Sequence, residues 1–314
     1  MAEIVKINEL RSKSLDRFTH GVKRGEHVGY KCLEDIYSVK QGTTLYLYGS
    51  PHCGKTELKY DLLINLSLQY GWKHAIYDPE TGDPLDIIET IAEKYVQKDY
   101  HAGYGNQMTM KERVSAETWI EEHFYIIHAP DGITLLEFYE KCEEIEREFN
   151  ISLHTTSIDP WDDVDHDYTE FNGSGRDDRY LEGALKHVRR IAKTHNWYNI
   201  LVTHIRDQEL VKDKATQQRY YPAPSPREIA KGQVWYRKGM AMVGLWRPKV
   251  GLNDINGIPY EWNEIHFIPS KQKPKGVAIP GEKPHHASLF YNPKTHRYYE
   301  KDPIGIDVEL NAPF

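Results

Sequence analysis

Thr43-Thr44-Leu45-Tyr46-Leu47-Tyr48-Gly49-Ser50-Pro51-His52-Cys53-Gly54-Lys55-Thr56 is the stretch on which the fold turns. Residues 43–48, threonines, leucines and tyrosines ending at a glycine, have the composition of a buried strand. The next eight residues read Gly, any four, then Gly-Lys-Thr. The glycines let successive backbone N–H groups turn inward on an anion. Lys55 supplies a point charge for β- and γ-phosphates, and the Thr56 hydroxyl suits a magnesium ion. Residues 57–70 place Leu58, Leu62, Leu63 and Leu66 at helical spacing. The start of that helix adds its positive dipole end. Strand, loop and helix in this order make Gly49, Ser50, Pro51, His52, Cys53, Gly54, Lys55, Thr56 and the adjoining Glu57 a nucleoside triphosphate-binding segment, the P-loop.

Outward from the loop, strands and helices alternate. Residues 74–77 read as a strand, 85–95 as a helix, 98–115 as a loop, 124–128 as a strand and 134–149 as a helix. Residues 152–158 form a strand, 178–195 a helix and 199–202 a strand. This alternation predicts an α/β fold, a mainly parallel sheet with helices on both faces. Beyond residue 204 the helices thin out. Residues 240–246, 264–269 and 288–291 read as strands that extend one edge of the sheet antiparallel. Helical character near residues 9–18 and 33–37 precedes all of this. The expected organisation is an extension over 1–20 and one ATPase core over 21–314.

Composition narrows the class. The chain has 314 residues, with 22 Tyr and 7 Trp, enough for a large core. No run of about 18 apolar residues is present to span a membrane. The first residues lack the apolar centre of a signal peptide. Cys32, Cys53 and Cys142 are too few and too scattered for a disulfide framework. A reducing cytoplasm, of a cell or of a virus-infected host, is the expected setting. Net charge is −7, which at face value argues against nucleic acid. The charge is segregated, however. Residues 206–249 hold ten Lys/Arg against four Asp/Glu, while the acidic excess lies within 112–182. Residues 271–283 add four lysines against one glutamate.

Two acidic positions complement the P-loop. Strand 152–158 ends in Asp159, where a carboxylate beside a P-loop can hold the magnesium shell. Strand 74–77 runs into Asp78-Pro79-Glu80, and a strand one helix after the P-loop lies next to the P-loop strand in many such sheets. By spacing alone Asp78 and Glu80 are equal candidates for the base that activates water. Asp165-His166-Asp167 and His285-His286 lack a second ligand cluster at a recognised spacing and read as structural. Cys53 lies near a helix N-terminus, a position that can lower a thiol pKa.

This constellation resembles the helicase half of the Twinkle and phage helicase-primase group, among the DnaB-like, RecA-fold ring helicases. The resemblance runs from about Gly21 to Tyr299. It is carried by Gly49–Thr56, by Tyr77-Asp78-Pro79-Glu80, by Ile158-Asp159-Pro160-Trp161, by the 180–196 helix leading to Leu201-Val202-Thr203-His204, and by residues 224–238. It implies a RecA-like core binding ATP and Mg2+, with Glu80 as catalytic base and His204 as the residue that senses the γ-phosphate. It also implies a homo-oligomeric, hexameric ring with single-stranded DNA in its pore. The second DNA loop of the family matches the basic segment with Arg206, Lys212, Lys214, Arg219, Arg227, Lys231, Arg237 and Lys238. The first matches 162–179, which is acidic here. Where the family carries an arginine finger, this chain reads Lys271-Gln272-Lys273, and lysine lacks the planar fork of arginine. No primase or zinc-binding segment precedes residue 20, so priming implies a separate primase or polymerase. The rival readings are a filament-forming RecA-type recombination or annealing ATPase and a nucleotide-switched loader.

Overall fold

The computed structural model describes residues 4–22, 25–103, 105–214, 216–254, 256–272, 286–302 and 305–308. Helix α1 (Arg11–His20) has no buried residue. Strand β1 (Thr44–Gly49) leads through the P-loop into α2 (Lys55–Tyr70). Then come β2 (His74–Tyr77), α3 (Pro84–Val96), α4 (Met110–His123), β3 (Phe124–Ile126), α5 (Leu135–Glu148), β4 (Thr155–Ile158), α6 (Asp177–His195) and β5 (Tyr198–His204). A hairpin, β6 (Val211–Lys212) with β7 (Arg219–Tyr220), precedes α7 (Gly232–Lys238). Strands β8 (Ala241–Trp246), β9 (Glu264–Lys271), β10 (Ala287–Asn292), β11 (Arg297–Lys301) and β12 (Asp307–Val308) follow.

Among the described residues the main sheet has ten strands, ordered β12-β11-β10-β9-β8-β1-β5-β4-β2-β3. The block from β8 to β3 is parallel, and β9 to β12 run antiparallel along one edge. The expected α/β class and antiparallel C-terminal edge are therefore present. One expectation needs correction: β2 does not neighbour β1, because β5 and β4 lie between them. Successive strands here are not adjacent, so spacing along the chain misplaced β2 by two strands.

Strand β1 shows why the sheet is covered twice. Side chains alternate along a strand, so Leu45 and Leu47 enter one core with Leu58 and Leu62 of α2 and Ile91 of α3. Tyr46 and Tyr48 enter the opposite core with Phe138 of α5, Leu185 of α6 and Trp235 of α7. Tyr46 meets Trp235 edge-on at 4.9 Å. Truncating a residue such as Leu47, fully buried in this layer, to alanine costs about 2–5 kcal/mol.

Helix α4 lies partly where a loop is expected. Thr109 caps it reciprocally with Glu112, and it buries only Ala116 and Ile120. A helix with so narrow an apolar side lacks the repeating stripe from which helices are read.

Helix α2 is buried on nearly every side, so its polar residues need partners. Asp61, fully buried, accepts from the Tyr30 hydroxyl at 2.8 Å and the Tyr298 backbone N–H at 2.7 Å. It also pairs with Lys94 and Arg297, each at 3.1 Å. These bonds tie the P-loop helix to α3 and to strand β11.

Candidate nucleotide site

The P-loop closes between two parallel neighbours. Strand β5 pairs with β1 in a register that sets His204 opposite Gly49, and β8 sets Leu245 opposite the same glycine. Gly49 has no room for a side chain: a Cβ would lie 2.7 Å from Cys53 Sγ and from the Leu245 carbonyl oxygen. Gly54 has φ +91°, the left-handed region that glycine alone enters freely.

A cavity of about 360 Å3 opens over this loop. His52, Cys53, Gly54, Lys55, Thr56 and Glu57 form its floor, and Glu80 and His204 one wall. Arg247, Trp262, Asn263, Ile265, Tyr291 and Tyr298 form the wall from the antiparallel edge. The loop residues Ser50 and Pro51 face a second recess, shared with Arg219 and Trp246.

Lys55 is buried, and its ammonium donates to the carbonyls of Ser50 at 3.0 Å and Gly49 at 3.3 Å. Its third neighbour is His204 Nδ1 at 3.2 Å. The other ring nitrogen, Nε2, lies 3.5 Å from the Glu80 carboxylate. Lys55, His204 and Glu80 thus stand in a row across the cavity wall.

Asp78 and Glu80, equal by spacing, differ in the structure. Asp78 is buried and accepts from Lys59 Nζ at 2.6 Å and from the Tyr60 hydroxyl at 2.5 Å. Burial alone would raise its pKa, but Lys59, Tyr60 and Thr81 hold it below the usual carboxylate range. Glu80 is half-exposed at the cavity.

Lys59 is the feature that sequence reasoning missed. Its ammonium, fully buried, bridges Asp78 and Asp159 Oδ2, the latter at 2.7 Å. Burial disfavours that charge, and the two carboxylates overcome the penalty and raise the lysine pKa. Asp159 is pushed up by burial, opposed by Lys59 and by the Thr56 hydroxyl beside it. Its Oδ1 is buried with no hydrogen-bond partner. One free carboxylate oxygen next to a threonine hydroxyl suits the shell of a hard divalent cation.

Cys53 departs from expectation. The thiol is buried, and burial pushes its pKa up, against the opposing pull of Lys55 and backbone donors. A helix N-terminus lowers a thiol pKa only when desolvation does not outweigh it.

The basic segment is spread over three places. Lys212 and Arg219 pair across the β6–β7 hairpin, with Lys214 in its turn. Arg206 donates its backbone N–H to Glu228 at 2.8 Å. Arg227 precedes α7, whose ends carry Lys231, Arg237 and Lys238. Lys231 is paired with Asp177, and Lys238 with Glu182 at 2.6 Å. A polar chain connects this segment to the P-loop. The Ser50 hydroxyl reaches Gln208 Oε1 at 3.5 Å, and Gln208 Nε2 donates to Glu228 at 3.1 Å. Lys271, at the end of β9, lies over the Tyr236 ring and donates to the Tyr236 carbonyl. Lys273 and His285 lie outside the described residues.

The sheet, its antiparallel edge and the loop at the end of β1 define a RecA-like fold of the P-loop class. Compared with known proteins, the chain is 27% identical over 192 residues, 59% of its length, to the Twinkle homolog protein, chloroplastic/mitochondrial, of Arabidopsis thaliana. That match spans 26% of the relative's own length. A solved ATPase domain matches with a TM-score of 0.70 at 12% identity, covering 96% of this chain and all of that one. A DnaB-like replicative helicase, solved in a study of its interactions with primase, matches at 0.68 and 12% identity over 96% of this chain and 68% of that one. The RadB recombinase matches at 0.52 and 16% identity over 88% and 99% of the two chains. No protein-family model matches the chain. The resemblance read from the sequence holds: the chain is similar in sequence to a Twinkle homologue and in fold to DnaB-like helicase ATPase domains. Among the described residues no helix is long and apolar enough to cross a membrane.

Proposed function

We propose that the chain is the motor of an ATP-driven DNA helicase of phage type, a homo-oligomeric, hexameric ring that translocates on single-stranded DNA during replication. The row Lys55–His204–Glu80 across the wall of the P-loop cavity carries the reading. Lys55 turns from the loop carbonyls to the β- and γ-phosphates when ATP binds. Glu80, half-exposed and within reach of bulk water, takes the proton of the attacking water. His204 touches both groups, and the chain segment after it runs into the basic hairpin. Loss of the γ-phosphate is thereby transmitted to Arg206, Lys212, Lys214 and Arg219, with Gln208 as a second link.

Thr56 and the free Oδ1 of Asp159 would hold Mg2+, which when bound neutralises charge on the phosphate oxygens. Trp262, Tyr291 and Tyr298 supply the aromatic wall for the nucleotide base. Arg227, Lys231, Arg237 and Lys238 complete the DNA-binding set. Lys271 and Lys273 take the place of the arginine finger toward a neighbouring subunit. A separate primase or polymerase acts with the ring.

ATP hydrolysis with and without single-stranded DNA, compared between wild type and Glu80→Gln, tests the reading. DNA-stimulated turnover that Glu80→Gln abolishes is expected. Turnover untouched by the substitution would remove Glu80 as base. The likeness to RadB supports a second reading, a filament-forming recombination ATPase. Electron microscopy of the assembly and unwinding of a forked duplex separate ring from filament.

A further inference from the structure

Helix α6 carries a groove that shares no residue with the nucleotide cavity. Its cations are Arg179, Lys186, Arg189, Arg190 and Lys193, joined by Lys238 from the end of α7. The space they line is about 800 Å3. The acid among the lining residues, Glu182, is taken up by Lys238. Among the described residues no carboxylate pairs with the other five cations. Arg189 Nε is buried with no acceptor at all. The His187 ring is held neutral, its pKa lowered to about 4 by burial and by the Arg190 guanidinium, and it accepts from Arg190 at 2.8 Å.

So many unpaired cations on one concave face leave a strong positive field, which physical chemistry matches to a polyanion. The spacing narrows the choice. From Arg179 to Lys193 the helix rises ~21 Å, which matches roughly six phosphates of a stacked strand at ~3.4 Å each. Three of the six cations are arginines, whose planar forks fit phosphate oxygens. Phe171 adds an aromatic ring to the lining, and rings beside cations are the usual grip on single strands. Phe171 and Asn172 come from the acidic 162–179 segment, and the other lining residues come from α6 and α7. Lys231 pairs with Asp177, which pins the basic segment around α7 against α6, and Lys238 of that segment lines the groove.

We propose that the α6 groove binds the phosphodiester backbone of single-stranded nucleic acid, as a second contact that joins the 206–249 segment only at Lys238. The proposal rests on the DNA-motor reading above. It assigns to α6 phosphate contacts for which the acidic 162–179 segment is poorly suited on its own.

The test uses the full chain and a fluorescein-labelled oligothymidylate, with anisotropy measured across a KCl series. Lys186→Gln, Arg190→Gln and Lys193→Gln are combined in one variant, since all three side chains are exposed. Each phosphate contact on a single strand contributes ~0.7 to the slope of log K against log salt, so the slope should flatten by about 2. DNA-independent ATP hydrolysis should stay at the wild-type rate, which also shows the variant to be folded. A second variant, Lys212→Gln with Arg219→Gln, addresses the hairpin. If wild type binds and the triple variant keeps its slope, the groove proposal is overturned while the DNA reading stands. If wild type binds no oligothymidylate, both fall. An unchanged slope with an altered oligomer mass means that the groove docks an acidic protein face, and this too overturns the proposal.

Discussion

Nδ1 of His204 lies 3.2 Å from the ammonium of Lys55. An ammonium has only donors to offer, so Nδ1 must be the accepting nitrogen and the ring proton resides on Nε2. That proton faces Glu80 at 3.5 Å. The pairing selects the tautomer, and with it the direction in which Lys55 and Glu80 are linked through the ring.

His204→Ala removes this link without touching the P-loop backbone. Hydrogen bonds to charged groups contribute about 1.5–3 kcal/mol, which corresponds to a fall of roughly 10–100-fold in kcat. Nucleotide KM should change little, because Lys55 keeps its two carbonyl partners. A variant with wild-type kcat would sever His204 from the chemistry.

Lys59→Met leaves Asp78 and Asp159 buried without their counter-ion. Breaking a buried pair in this way costs about 3–5 kcal/mol near neutral pH. The pH profile should also change. In wild type the Asp78 pKa is depressed on folding, so its contribution is present above the unfolded carboxylate pKa and is lost as pH falls through the folded value, while the raised Asp159 acts in the opposite sense. In the variant both carboxylates are raised by burial, so stability is greatest below the unfolded pKa and declines as pH rises through the folded values. Urea midpoints between pH 3 and 8 would check this, and parallel profiles for the two proteins would refute it.

Cys53 should resist alkylation in the native protein. Burial raises its thiol, and Cys142 is buried with its pKa raised as well. Iodoacetamide at pH 8 should leave ATP hydrolysis intact over a time in which the urea-unfolded chain reacts completely. Rapid inactivation protected by nucleotide would show the thiol to be accessible.

Gly54→Ala should abolish tight nucleotide binding. The new methyl would lie 2.3 Å from the Tyr298 hydroxyl, at a φ of +91°. Tyr298→Phe relieves the contact but not the backbone, whose left-handed conformation costs a non-glycine residue about 1–2 kcal/mol. The double variant should therefore remain impaired. Full recovery of fluorescent-nucleotide binding in the double variant would mean that the backbone conformation is not limiting.

The parts legible in the sequence are those written locally. The strand, loop and helix around Gly49–Thr56 follow one another along the chain, and the alternating pattern of β1 shows directly in Leu45, Tyr46, Leu47 and Tyr48. Lys59 was opaque for the opposite reason. On a helix wheel it is a lysine beside a tyrosine, and only the convergence of α2, β2 and β4 reveals its two carboxylates. Arg247, Trp262 and Tyr298 reach the cavity from roughly 190 to 245 residues downstream of the P-loop, a distance that no periodicity encodes. The order β1-β5-β4-β2 escaped for the same reason, since strand order is set by packing between helices rather than by spacing. Helix α4 carried a readable start, Thr109 and Glu112, but too little apolar face to announce what followed.

The bonds from β11 to the P-loop helix bear on the protein's birth on the ribosome. The loop emerges roughly 240 residues ahead of Arg297 and Tyr298; Arg297 pairs with Asp61, and Tyr298 donates to it and stands over Gly54. Until those two residues leave the exit tunnel, a buried aspartate beneath the nucleotide loop lacks two of its partners. On the proposed reading, competence to hold a nucleotide is then a late event in synthesis, and a stalled nascent chain that already displays the whole motif is not yet able to use it.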